Sequence, residues 1–166
     1  MVRRTVYGHF GGKAALVEGL VEDAAESLRQ ALATLDTPAP EAVTELACFV
    51  LAVWPVGDRY RVLLRLAPQD LGPERVDEVL APAREIAAAI IARGQRQGIF
   101  QTSVPPGPSS RALEGHLLGL LDRVNAGTWA DDGTGTATAA LVAMGVDGAR
   151  AVSCVRGLGR SERTVA

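Results

Sequence analysis

Residues 1–13 carry Arg3, Arg4, Thr5, Tyr7, His9 and Lys13 and no acid. Each of these side chains can donate to a phosphate oxygen, the guanidinium and ammonium groups as charged donors and the others as neutral ones. An arginine can also fork onto a guanine edge in the major groove. A short helix that turns tightly into a longer one is how DNA-reading helices are often mounted, and Gly11-Gly12 ahead of Lys13 supplies the break. The other reading of the same residues is an ordinary first helix whose Val6 and Phe10, four apart, tuck onto the core.

Charge is distributed unevenly behind this segment. Between residues 14 and 45 the acids Glu18, Glu22, Asp23, Glu26, Asp36, Glu41 and Glu45 face Arg29 alone. The net charge of −2 excludes a uniformly basic nucleic-acid coat but leaves room for a local basic patch at the front. Aromatic residues make up only 4% of the chain while alanine and leucine abound, which favours helices over a β-sandwich. The expected fold class is all-α, in one domain's worth of chain.

The elements that must position the opening segment follow from apolar periodicity. Leu16, Leu20, Ala24, Leu28, Ala31 and Leu35 stripe a helix from Lys13 to Leu35. A second helix is expected from Glu41 to Trp54, stopped by Pro55 and Gly57. A third runs from Arg59 to Ala67 behind an Asp58 cap, and "PQDLGPE" reads as punctuation. A fourth spans Pro73 to Gln97, with Pro82 kinking or breaking it and Gly98 as its C-cap. Ser109 or Ser110 is expected to cap a fifth, Arg111 to Asn125, and Ala137 to Met144 forms a short last helix. Residues 147–166 show little periodicity and are expected to be a frayed, flexible tail; its four arginines either stay solvated or brush nucleic acid.

Elsewhere the chain offers little chemistry. His9 and His116 are the only histidines, and neither has a nucleophile or metal ligand at local spacing. Asp131-Asp132 reads as a turn, and "GTGTAT" lacks the Lys-Ser/Thr ending of a phosphate loop. Cys48 and Cys154 have neither redox nor metal spacing. No enzyme, cofactor or metal is expected. The amino end has no apolar stretch typical of a signal peptide, and Ala47–Val53 is far too short to span a membrane, so a cytoplasmic location with no membrane partner is the default.

The order of the opening residues is more specific than their composition. "TVYGHFGGKAALVEGLVE" resembles the end of the DNA-binding module of TetR-family (tetracycline-repressor-like) regulators. In that family Thr, an apolar residue, Tyr, any residue, His and Phe form the recognition helix; Lys and a Leu three later follow two variable residues. Here these are Thr5, Val6, Tyr7, His9, Phe10, Lys13 and Leu16. "ARGQRQGIFQTSVPPG" and "LVAMGVDGARA" look like later parts of the same family, more weakly.

The resemblance implies a DNA-binding transcriptional regulator, a homodimeric repressor released from operator DNA by a small-molecule effector. Residues 1–13 would be a partial helix-turn-helix, and 14–146 the helical ligand-binding and dimerisation domain. Arg3, Arg4, Thr5, Tyr7, His9 and Lys13 would contact DNA, with Val6 and Phe10 in the module's core. Phe49, Trp54, Tyr60 and His116 would line an effector pocket, or else simply pack the core. Leu113, Leu117, Leu120, Leu121 and Val124, with Leu141, Val142 and Met144, would form the dimer face, with Gly115 and Gly119 allowing close approach; intrachain core is the other reading. The family's module also has two helices ahead of the recognition helix, and Val2 stands where a serine cap is usual. The expectation is a coding frame that begins upstream of Met1. The alternative is an effector-binding, dimerising helical module that does not bind DNA because those two helices are missing.

Overall fold

A computed structural model describes residues 12–35 and 38–164, with side chains up to residue 159. The described residues form seven helices and no strand: α1 (Lys13–Ala33), α2 (Ala42–Arg59), α3 (Arg61–Leu71), α4 (Pro73–Arg96), α5 (Pro106–Asn125), α6 (Thr134–Ala143) and α7 (Gly148–Thr164). None of them is long and apolar enough to cross a membrane.

Prolines prove weaker breaks than expected. α2 continues through Pro55 and Gly57, α3 through Pro68, and α4 through Pro82. A proline removes one helical hydrogen bond, but flanking residues anchored in the core hold the ladder on both sides of it. Around Pro55 those anchors are Trp54, 3% exposed, and Tyr60, 8% exposed. The true breaks are Tyr60, a one-residue corner between α2 and α3, and Gly72, whose φ of 89° suits glycine alone.

Capping also differs from the sequence reading. α5 starts at Pro106 rather than Arg111, so Ser109 and Ser110 lie within its first turns, buried, and donate to the carbonyls of Val104 and Gly107. α6 starts at Thr134 because the Asp131 carboxylate accepts the Gly135 and Thr136 amides at 3.0 and 2.8 Å. The stretch expected to be a flexible tail is α7. Asp147 Oδ1 accepts the Ala149 and Arg150 amides at its start, and Ala151 and Val155 are buried against the core. Ala151, Val155 and Leu158 stripe one face of this helix, and the glycines and arginines between them dilute the pattern in the sequence.

α2 is the central helix and touches all six others. Leu46, Val50, Ile91, Leu113, Leu141 and Val155, drawn from α2, α4, α5, α6 and α7, are essentially fully buried around it. Each such side chain is worth roughly 1.5–3 kcal/mol of burial. Gly94 belongs to this packing for want of a side chain, since a Cβ there would lie 2.1 Å from the Phe100 ring. A second, smaller cluster joins Val17 and Val21 of α1 to Ala67 of α3, flanked by Leu63, Leu71, Val76 and Val79. Ion pairs stitch its rim: Lys13 to Asp70 at 2.8 Å and Arg75 to Glu18 at 2.6 Å. On α1 the buried positions are Val17, Val21, Leu28 and Leu32, whereas Leu20 of the expected stripe is 43% exposed.

The expected dimer face is largely interior. Leu113, Leu121, Leu141 and Met144 are buried within the chain's own core, so they have no surface left to offer a second copy. Leu117 packs against that core, Leu120 and Val124 are half-buried, and Val142 is exposed. Gly115 and Gly119 face open space.

Candidate ligand cavity

Helical spacing brings side chains from five helices to one apolar cavity of about 110 Å³. Phe49, Val53 and Val56 lie along one face of α2, and Tyr60 continues that face at the corner. Ala24 and Leu28 face them from α1, Leu64 from α3, Val79, Leu80 and Ala83 from α4, and Leu117 and Leu121 from α5.

Three of the four residues named for an effector pocket, Phe49, Trp54 and Tyr60, line this cavity. His116 does not. It is half-buried on α5, off the cavity wall, and its Nε2 is enclosed without a hydrogen-bond partner. Arg84 and Glu114 line the cavity too but gave no sequence signal, because a lone arginine and a lone glutamate on two helices are indistinguishable from solvated ones until the helices pack.

The polar groups of the wall bond to other parts of the protein. The Trp54 indole donates to the Asp131 carbonyl at 3.1 Å and meets the Trp129 ring edge-on, with centroids 6.0 Å apart. The Tyr60 hydroxyl donates to Asp23 and lies 3.2 Å from Ser27 Oγ, while the Arg59 guanidinium covers the ring at 5.2 Å. Arg84, only 13% exposed, donates to Glu114 at 2.8 Å and to Asp77 at 2.9 Å. Asp77 accepts from Arg111 as well. That bond, with the nearby charges of Arg111 and Arg84, holds the Asp77 carboxyl below its ordinary range despite some desolvation, and the same bond raises Arg111. Two acids and two bases thus neutralise one another between α4 and α5.

Of the residues expected to contact DNA, Arg3, Arg4, Thr5, Tyr7 and His9 lie outside the described residues. Lys13 opens α1 with its side chain 66% exposed and its ammonium on Asp70. Among the described residues no group of three or more His, Cys, Asp and Glu could hold a metal ion. The arrangement forms a half-open apolar pocket that can hold an apolar guest. No family model matches the chain, and no curated protein or solved structure matches it.

Proposed function

We propose that this chain belongs to a DNA-binding transcriptional regulator of the TetR type, a homodimeric repressor whose helical body binds a small effector. The observation that carries the reading is the apolar cavity inside a helical body whose α1 begins at Lys13, the last residue of the DNA-contacting set. Lys13 is held by an exposed pair, and such pairs contribute only about 0–1 kcal/mol, so a phosphate can replace Asp70 as its partner.

The test is a gel shift on the DNA upstream of the chain's own coding sequence, using the 166-residue chain and a form extended at its amino end. Binding by the extended form at low salt is expected. Lys13→Ala removes one phosphate contact from each subunit and should lower the dependence of log affinity on log salt by about 1.8 per homodimer. Failure of both forms on every nearby promoter overturns the reading.

One observation favours a second reading, a ligand-binding module without DNA binding. The described residues that line the cavity all lie between residues 24 and 121, in the helical body. Effector binding in a chain whose extended form ignores DNA would establish that alternative.

A further inference from the structure

We infer that the cavity takes a compact, uncharged aromatic hydrocarbon and discriminates against charged or hydrogen-bonding analogues of the same size. The inference rests on the effector reading of this cavity and adds the chemistry of its occupant.

Three observations lead there. The first is volume. An apolar cavity of about 150 Å³ holds one benzene molecule, so about 110 Å³ suits a single ring rather than a fused polycycle or an extended chain. The second is shape and polarisability: Phe49, Trp54 and Tyr60 converge on the space, and aromatic rings pack favourably edge-to-face or offset.

The third is the state of the polar wall. Among the described residues only Trp54, Tyr60, Arg84, Ser110 and Glu114 bring polar side chains to the cavity, and each is already bonded to another group of the protein. Arg84 and Glu114 bond each other, so neither stands ready as a counter-ion. A carboxylate or ammonium guest would lie beside a pair whose charges already neutralise each other, and would give up hydration with little return. A hydroxyl guest would exchange bonds to water for spare lone pairs on groups already oriented toward other partners, a net loss.

Sealed-cell titration calorimetry of the 166-residue chain near neutral pH, with toluene, phenol, benzoate and benzylammonium, tests this. Toluene should bind best, phenol roughly tenfold more weakly, and the two ions roughly a hundredfold more weakly or worse. Ala83→Leu, which puts extra carbon into the cavity, should weaken toluene at least about tenfold. Leu80→Phe serves as a second filling variant should the first fail to fold. Tighter binding of phenol or either ion overturns the hydrocarbon inference and leaves the effector cavity standing. Binding of none of the four, or toluene binding indifferent to a folded filling variant, overturns the effector cavity as well.

Discussion

The indole of Trp54 and the backbone carbonyl of Asp131 are joined at 3.1 Å, tying the cavity wall on α2 to the loop that starts α6. The same aspartate caps α6 with its carboxylate, accepting from the Thr136 hydroxyl at 2.7 Å as well as from two amides. One residue therefore serves both the wall and a helix end.

Trp54→Phe keeps an aromatic ring in the wall but strands that carbonyl. A fully buried acceptor left without its donor costs about 1–3 kcal/mol, and for this part-buried one that range is an upper bound. Urea denaturation should show a loss of that order, with the lost ring volume pushing it toward the upper end. An unchanged midpoint would mean that the bond carries no net stability.

Gly57 approaches Leu121 across the cavity, and a Cβ at 57 would meet the Leu121 Cδ1 methyl at 2.9 Å. Alanine inside a helix gains roughly 1 kcal/mol over glycine, and the contacted methyl ends a flexible side chain that can turn aside. Gly57→Ala is thus expected to leave stability within about 1 kcal/mol while displacing Leu121 on the cavity wall. Calorimetry with toluene should then show altered affinity in a protein whose thermal melt is nearly unchanged.

Asp77 links stability to pH through its bonds to Arg111 and Arg84. Its folded carboxyl lies below the ordinary value, so its contribution is present above about 3.9 and is lost as pH falls through the lower folded value. Asp77→Asn should be less stable than the parent at neutral pH, with the gap closing as the solution is acidified below pH ~4. Melts followed by circular dichroism from neutral to acid would reveal it. A gap that widened on acidification would reverse the assigned sign.

Leu113 and Leu141 separate core from interface. Leu113→Ala or Leu141→Ala should each cost about 2–5 kcal/mol by leaving a cavity in a packed interior. That cost should be the same at every protein concentration, whereas weakening a subunit contact would change how steeply the melting temperature depends on concentration.

The all-helical class was legible because leucine, valine and alanine recur at three- and four-residue spacing. Element ends were less so. Pro55, Pro68 and Pro82 carry a strong local preference that packing of the flanking apolar residues overrides. α7 is hidden by its glycines and arginines, which dilute the stripe of Ala151, Val155 and Leu158. Of the cavity, the large rings stood out since aromatic residues are rare in the chain, whereas Arg84 and Glu114 acquire meaning only through packing of α4 on α5. Leucines on α5 and α6 look alike in sequence whether they face a second copy or their own chain. Burial distinguishes the two: Leu113 and Leu141 face their own chain.

The small cluster of Val17, Val21 and Ala67 stands apart from the main core, with Val79 both packed against it and lining the cavity. Two hydrophobic nuclei of unequal size allow sub-global opening, in which the lesser unit frays while the greater stays closed. Backbone amides in the amino-terminal half of α1 and in α3 would then exchange with solvent through a cheaper opening than those of α2. Lys13 and the start of α1 thereby sit on the more yielding of two cooperative units.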